Sequence, residues 1–292
     1  MGDTLKLKAL AKINLGLDVL GKRDNGYHDV RMVMQTIYLY DNVTLEKTQE
    51  PGIQLETNLF YLPVDENNIA YKAAKLLMDE FDIKEGVRIT LEKHIPVAAG
   101  MAGGSTNAAA VLVGMNRLFS LGLSQNDLME RGVKLGADVP YCVMRGTALA
   151  EGIGEVLSPL PPLPKCYVLI AKPGISVSTK EVYEALDSEE IPDHPDIDGI
   201  LEGLEQGDLE KVTGSMGNVL ERVTIKKYPI IDEIKQVMKE AGAINAMMSG
   251  SGPTVFGIFT EEKTAKIAKQ KIRKMKIAKD VYLANVHNVR RV

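Results

Sequence analysis

The sequence predicts an α+β fold divided into two domains. Three features of the 292 residues support this: strand-like alternation near the N-terminus, helical spacing of apolar residues between strands, and one proline-rich break. Short strands interspersed with separate helices are typical of helices packed on an antiparallel sheet. With 45% hydrophobic residues, the chain is long enough for two ordinary cores.

The N-terminal third reads mainly as strands. Apolar residues alternate in places over residues 5–19, which predicts extended chain with one buried face. The turn signal Asp-Asn-Gly at 24–26 leads into a β-branched and aromatic run at 30–44, so an antiparallel meander is expected. Two shorter strands are predicted at 52–56 and 87–91.

Three helices are predicted among and after these strands. Residues 68–81 carry apolar side chains at helical spacing, and a second helix is expected over about 104–119. A third should run over about 124–135, with Ser124 as its N-cap.

The proline-rich stretch at 157–164 is the clearest break in the chain. We expect a stiff connector there that neither helix nor sheet would accept, which places the two domains at 1–157 and 165–292. The second half should again mix helices and strands. Its predicted elements are strands at 166–171, 244–248 and 254–259, a helix at 228–241, a lysine-rich helix and a final strand.

Composition narrows the classes of partner. The net charge of −4 does not call for nucleic acid or a membrane surface, and the lysines at 263–279 are expected on the solvated face of an amphipathic helix. Residues 1–10 lack a signal core, which leads us to expect a cytoplasmic protein. Cys142 and Cys166 lie in apolar runs and are expected to be reduced core residues.

The glycine-rich segment, IPVAAGMAGGSTNAAAV at 95–111, lies between a predicted strand and a predicted helix. Its glycines allow backbone N–H groups to approach a ligand, and two hydroxyls follow where a helix dipole favours an anion. A phosphate site is one interpretation, and close packing of a helix on a sheet is the other. The segment lacks the Lys-Ser/Thr pair of a Walker A loop and the spacing of a dinucleotide fingerprint.

Three further segments hold isolated polar residues. Lys12 and Asn14 share one face of an otherwise apolar strand, which is costly unless both have partners, although Lys12 could simply be a surface lysine. Asp138 is a carboxylate held on a stiff turn in LGADVPY at 135–141. The alternative to a functional role is that it does no more than stabilise this turn. The glycine turn, MMSGSGPTVF at 247–256, could be a plain hairpin.

In this order and at these separations, the Lys12 segment, the glycine-rich segment and the glycine turn resemble the three motifs of the GHMP kinases. This superfamily includes galactose, homoserine, mevalonate and phosphomevalonate kinases, and the resemblance covers nearly the whole chain. It implies the GHMP kinase architecture, with an N-terminal domain similar to the second domain of ribosomal protein S5 and a ferredoxin-like C-terminal domain.

Two segments, AKINLGLDVLGKRDNGYHDV at 11–30 and LGADVPY, are similar to the GHMP kinases of the non-mevalonate isoprenoid pathway. The resemblance implies an enzyme that uses ATP and Mg²⁺ to phosphorylate the 2-hydroxyl of a methylerythritol linked to cytidine diphosphate. Direct in-line transfer is expected, with no nucleic-acid or membrane partner.

The resemblance also assigns residues by position. Asp138 matches the catalytic aspartate and Lys12 the lysine that pairs with it. The residues that match nucleotide contacts are Asn68 and Lys93 near the adenine, and Pro96, Ala99, Gly100, Met101, Ala102, Gly103, Gly104, Ser105 and Thr106 around the triphosphate. The residues that match substrate contacts are Asn14, Tyr27, His28, Thr179, Tyr183, Gly250 and Ser251. Mg²⁺ is expected on ATP oxygens and on Ser105.

One departure from the superfamily pattern and two alternative functions stay open. Met101 and Ala102 stand where related loops often read Leu-Gly, and Ala102 has less conformational freedom than glycine. Another GHMP kinase, of homoserine or mevalonate type, would have the same nucleotide residues. A non-catalytic module that binds a ligand or RNA is the second alternative.

Overall fold

The computed structural model describes residues 3–289, which form two compact units of interleaved segments. The first unit contains residues 3–11, 39–97 and 102–144, and the second contains residues 12–38, 98–101 and 145–289. Two long strands therefore contribute residues to both units. The predicted division at 157 and 165 stays a prediction, because the compact units are not separated by a single cut of the chain.

The elements follow one another in this order. The strands are β1 (Thr4–Lys22), β2 (His28–Thr48), β3 (Ile53–Thr57), β4 (Gly86–Glu92), β5 (Thr147–Glu151), β6 (Val156–Pro159), β7 (Tyr167–Lys172), β8 (Gly217–Asn218), β9 (Asn245–Met248), β10 (Val255–Phe259) and β11 (Asp280–Asn285). The helices are α1 (Ile69–Glu80), α2 (Gly103–Leu118), α3 (Gln125–Val133), α4 (Val139–Met144), α5 (Thr179–Leu186), α6 (Ile197–Gln206), α7 (Leu209–Gly214), α8 (Glu221–Lys227), α9 (Ile230–Glu240) and α10 (Glu262–Met275).

The first unit contains helices and a small sheet. The later part of β2 pairs antiparallel with β4, with Asn42 opposite Glu92, and β3 pairs parallel with β4. Helix α2 packs against α1 and α4, and residues 106–112 of α2 are all buried. Small alanine side chains in this stretch allow the close approach of the neighbouring helices.

The second unit contains the remainder of β1 and β2 and a separate four-stranded sheet. Gly16 in β1 pairs in parallel with Gly217 in β8, and Met32 in β2 lies opposite Ala150 in β5. The four-stranded sheet is antiparallel and has the order β11-β7-β10-β9, with α9 and α10 packed on it. The chain order β7-α9-β9-β10-α10-β11 is that of a ferredoxin-like unit.

The predicted elements are confirmed apart from the connector. Residues 157–159 lie in β6, where Pro159 is opposite Ala148 of β5, so the prediction that a sheet would reject 157–164 is wrong. Proline is accepted there because β6 ends at Pro159 and β5 is its only partner strand among residues 3–289. Within the same residues, the helices are too short or too polar to cross a membrane.

Candidate functional site

Helix α2 begins at the glycines of the glycine-rich segment. Its N-cap is Ala102, in the left-handed conformation with φ 56°, and within residues 3–289 no side chain caps this helix. The first-turn N–H donors are therefore left for solvent or a ligand. Gly104 is exposed and Ser105 half-buried, whereas Thr106 is 1% exposed. Ser105 is thus the more accessible of the two predicted hydroxyls.

Lys93, predicted near the adenine, lies in a buried cluster of the first unit. Its ammonium group forms an ion pair with Asp41 and donates to Asn107 Oδ1 at 2.6 Å and to the Gly103 carbonyl at 3.3 Å. The Lys93 side chain is 4% exposed. The cluster therefore connects the end of β4 to the first turn of α2, and half-buried Pro96 follows three residues later.

Asn68, the other residue predicted near the adenine, is the N-cap of α1. Its Oδ1 accepts from Ala70 N–H at 3.0 Å, and its Nδ2 donates to the Pro63 carbonyl at 2.8 Å. Both ends of this amide thus stabilise the start of α1, and any contact with a nucleotide would have to use its remaining hydrogen-bonding capacity.

Asp138 lies half-buried just before α4 in the first unit. Its backbone carbonyl accepts from Cys142 N–H at 3.1 Å and so opens the first turn of α4. Buried side chains of Val139 and Tyr141 anchor the helix, which packs against α2 and α3. The turn that holds Asp138 is therefore fixed by packing on both sides.

In the second unit, Lys12 and Asn14 interact directly on β1. Lys12 is 5% exposed and donates from Nζ to Asn14 Oδ1 at 2.8 Å, while Asn14 is fully buried. The surface-lysine alternative is therefore wrong. The backbone N–H of Lys12 also donates to the Met101 carbonyl at 3.2 Å, which connects β1 to the glycine-rich segment.

The glycine turn packs directly on Gly100 within the second unit. A Cβ added to Gly100 would lie 2.0 Å from the Ser249 carbonyl oxygen, and Gly100 has φ 68°. Ser249 donates from Oγ to the Gly100 carbonyl at 3.0 Å. Glycine is needed here because two backbones meet, and Ala99 and Met101 on either side are buried.

The glycine turn is held in place by Asn218. This side chain donates from Nδ2 to the carbonyls of Met248 and Gly250, at 2.9 and 2.8 Å. On the same turn, the Ser251 hydroxyl lies 2.8 Å from the Thr179 hydroxyl. The structure thus brings together two residues that were predicted to contact substrate.

Two of the predicted substrate residues, His28 and Tyr183, form an aromatic pair. The ring of His28 lies 4.8 Å from that of Tyr183, whereas Tyr27 is 58% exposed on the turn before β2. His28 Nε2 lies 2.6 Å from Asp187, and Lys22 forms an ion pair with the same carboxylate. Lys22, and then His28, hold the pKa of Asp187 below its usual value. His28 and Asp187 also line a cavity of about 290 Å³.

The prediction for the cysteines is confirmed, and the Mg²⁺ assignment stays a prediction. Both cysteines are reduced and buried, and burial raises the pKa of Cys166 to about 12, so its thiol stays protonated. Among residues 3–289, no group of three or more His, Cys, Asp or Glu side chains is placed to hold a metal ion.

Sequence reasoning missed Asp41, Asn107 and Asn218. Asp41 is a single acid in the apolar run YLYDNV, which is the same signal that drew attention to Lys12. Asn107 lies inside the glycine-rich segment but was not assigned a role. Asn218 has no comparable local signal, because its partners are backbone carbonyls 30 and 32 residues away.

Comparison with known proteins agrees with this geometry. The family model described as "GHMP kinases N terminal domain" matches residues 68–146, and "GHMP kinases C terminal" matches residues 200–278. A Lachnospira eligens protein named 4-diphosphocytidyl-2-C-methyl-D-erythritol kinase is 57% identical over 96% of this chain and 97% of its own length. A relative of the same name from Clostridium perfringens is 51% identical over 97% of this chain and 99% of its own length.

Solved structures show the same fold. A crystal structure of 4-(cytidine 5'-diphospho)-2C-methyl-D-erythritol kinase is 31% identical, with a TM-score of 0.82, over 98% of this chain and 100% of that one. A homoserine kinase from Cytophaga hutchinsonii has a TM-score of 0.81 at 23% identity, over 98% and 96%. The predicted α+β GHMP kinase architecture is confirmed. The chain belongs to the 4-diphosphocytidyl-2-C-methyl-D-erythritol kinase family of the GHMP kinases, which implies ATP as its phosphoryl donor.

Proposed function

We propose that this chain transfers the γ-phosphoryl group of ATP to the 2-hydroxyl of 4-diphosphocytidyl-2-C-methyl-D-erythritol, within the non-mevalonate isoprenoid pathway. The name shared by full-length relatives at 51 to 57% identity supports this acceptor. The observation that carries the proposal is Lys12, a lysine buried in an apolar strand and hydrogen-bonded to Asn14. Burying an ammonium group costs stability, so a binding module without chemistry would have little reason to retain it.

Asp138 is the proposed base. It accepts the proton of the acceptor hydroxyl, whose oxygen forms the new bond to the γ-phosphorus while the bond from phosphorus to the β-phosphate oxygen breaks and ADP leaves. Lys12 is the proposed cation that balances charge during transfer. Positioning and charge neutralisation supply most of the rate enhancement in phosphoryl transfer.

The start of α2 is the proposed triphosphate site. Its first-turn N–H groups have no side-chain cap among residues 3–289, which fits an anionic ligand. The proposed assignment gives the triphosphate contacts to Pro96 and residues 99–106, and the adenine contacts to Asn68 and Lys93. Mg²⁺, when bound, neutralises phosphate charge, with Ser105 as its proposed protein ligand.

The acceptor contacts proposed in the second unit are Asn14, Tyr27, His28, Thr179, Tyr183, Gly250 and Ser251. The rings of His28 and Tyr183, which lie 4.8 Å apart and are tilted by 37°, support an aromatic surface for a planar base, and the Ser251–Thr179 contact supports a polar surface beside it. The cytoplasmic location expected from the sequence and the domain limits 1–157 and 165–292 are part of the same proposal.

Release of ADP with four acceptors tests the proposal. The purified chain is given ATP, Mg²⁺ and either the cytidyl-methylerythritol, mevalonate, homoserine or galactose. We expect turnover with the cytidyl compound, and at least a 100-fold loss in the Asp138→Asn variant. Turnover with another acceptor would assign a different GHMP activity. Binding of ATP without turnover of any acceptor would favour a non-catalytic module.

A further inference from the structure

Asp41, which lies in β2 outside the predicted site, accepts hydrogen bonds from four donors. Its Oδ1 accepts from the backbone N–H groups of His94 at 2.6 Å and Ile95 at 2.8 Å. Its Oδ2 accepts from Asn107 Nδ2 at 2.9 Å and from the Lys93 ammonium group. The Asp41 residue is fully buried, so the chain itself meets the hydrogen-bonding demand of this carboxylate.

Lys93 is engaged to the same degree. An ammonium group has three protons, and Asp41, Asn107 and the Gly103 carbonyl provide three acceptors. Asp41, Lys93 and Asn107 thus form a closed network, here called the Asp41 cluster. The donors of Lys93 are used within the protein, which leaves none for a hydrogen bond to adenine in this arrangement.

The Asp41 cluster lies where β2, the end of β4 and the start of α2 meet. Gly103, the first residue of α2, packs directly on it, because a Cβ there would lie 3.2 Å from Ile95 Cγ2 and 3.5 Å from Lys93 Nζ. No side chain caps α2 within residues 3–289. The hydrogen bond from Lys93 to the Gly103 carbonyl is therefore a direct restraint on the first turn.

We infer that the Asp41 cluster positions the first turn of α2 for the nucleotide phosphates, and that Lys93 acts through Gly103 instead of contacting the adenine. Asp41 and Asn107 become positioning residues of the reaction, and Lys93 changes its role from the proposed one. The inference rests on the proposed use of α2 as the triphosphate site. Hydrogen bonds in a buried network are strong and directional, and small displacements of phosphate donors weaken binding.

Titration with two probes separates positioning from adenine contact. A non-hydrolysable ATP analogue and inorganic tripolyphosphate are titrated against Asp41→Asn, Lys93→Met and the double variant. We expect each single variant to weaken both probes by the same factor, about 10-fold or more for loss of a charged hydrogen bond. The double variant should be no weaker than the poorer single variant, because all three changes disable one network.

Arg131→Met is the matched control. It removes an ion pair with Glu80 between α3 and α1 of the same unit, away from Gly103. We expect it to lower the melting temperature, because it removes a two-nitrogen contact from an arginine that is 18% exposed, while both affinities stay within about twofold because the pair does not touch the first turn of α2. A general loss of stability would therefore be distinguished from a loss of positioning.

Two results would overturn the inference. If Asp41→Asn binds the ATP analogue with unchanged affinity, Lys93 has no positioning role. If Lys93→Met loses affinity for the analogue but not for tripolyphosphate, Lys93 contacts the adenine. If Asp41→Asn does not fold, Asn107→Ala keeps the ion pair and should weaken both probes equally by a smaller factor. Neither titration contains the acceptor. The test of the Asp41 cluster is therefore still valid if the assay with the four acceptors fails.

Discussion

The two units hold their parts of the glycine-rich segment by different means. In the second unit, Gly100 is fixed by backbone contact, with the Ser249 carbonyl where a side chain would begin. In the first unit, Gly103 is fixed by the side chains of Asp41, Lys93 and Asn107. A backbone contact tolerates no added atom, whereas a side-chain network can be weakened in steps. Mutations in the two regions should therefore differ in kind as well as in size.

The largest expected effect on activity comes from a residue outside both the Gly100 contact and the Asp41 cluster. Asp138→Asn should lower kcat by about 100-fold to 10,000-fold, the range for loss of a general base, with little change in KM for ATP. Steady-state kinetics with the cytidyl acceptor measure this. Asp79→Asn, an exposed acid on α1, serves as the control. A loss in kcat below about threefold would show that Asp138 has no part in the mechanism. The Gly100 contact and the Asp41 cluster would then be the main determinants of rate.

Gly100→Ala tests the backbone contact. The new Cβ would lie 2.0 Å from the Ser249 oxygen at φ 68°, so we expect a loss of about 2 to 4 kcal/mol in unfolding free energy. Denaturant unfolding measures the change. Gly104→Ala is the control, because its Cβ would meet only Ile69 Cγ2, at 3.6 Å. Equal stability in the two variants would contradict the comparison.

Tyr183→Leu extends the comparison to the acceptor contacts of the second unit. Removing the ring that lies beside His28 should raise KM for the cytidyl acceptor by about 5-fold to 150-fold, from about 1 to 3 kcal/mol for each base stacked on an aromatic side chain. KM for ATP should not change. Tyr27→Leu tests the other, exposed tyrosine of the proposed acceptor contacts in the same assay. Equal shifts in KM for the acceptor and KM for ATP would exclude a cytosine site at these rings.

Ala102→Gly should have the smallest effect. Ala102 adopts φ 56°, which costs an L residue about 1 kcal/mol, while glycine adds a similar entropy to the unfolded chain. We expect the unfolding free energy to change by less than about 1 kcal/mol and nucleotide affinity to stay the same, since the Asp41 cluster holds α2. A marked gain in affinity would show that strain at Ala102, and not the cluster, sets the first turn.

Local patterns predicted most of the fold. The helical spacing in α1 gave both the element type and its buried face, whereas the alternation in β1 gave the element type alone, because residues 9–19 are buried on both faces. The same reasoning gave the wrong result at residues 157–159, which lie in β6. The four prolines of 157–164 suggested a connector, but at Pro159 the strand simply ends beside β5, so no ladder hydrogen bond is lost.

The candidate residues were predictable where one residue differed in type from what its neighbours in the sequence require. Lys12 in an apolar strand and Gly100 in a tight loop are examples, and resemblance to known kinases supplied their roles. The partners of these residues were harder to find. Asn218 reaches the glycine turn only through the fold, and the connection between Asp41 and Asn107 spans 66 residues. Such pairings depend on tertiary packing, which a local pattern does not contain.

The membership of residues 12–38 in the second unit has a consequence for synthesis of the chain. Gly16 in β1 pairs with Gly217, about 200 residues later, so this apolar strand is translated long before its partner. At 5 to 20 residues per second, the delay is about 10 to 40 s on the ribosome. During that time β1 has only β2 as a neighbouring strand, and the edge that later pairs with β8 stays open. For the same reason, a fragment that starts at residue 165 lacks the β1 and β2 segments of its own unit.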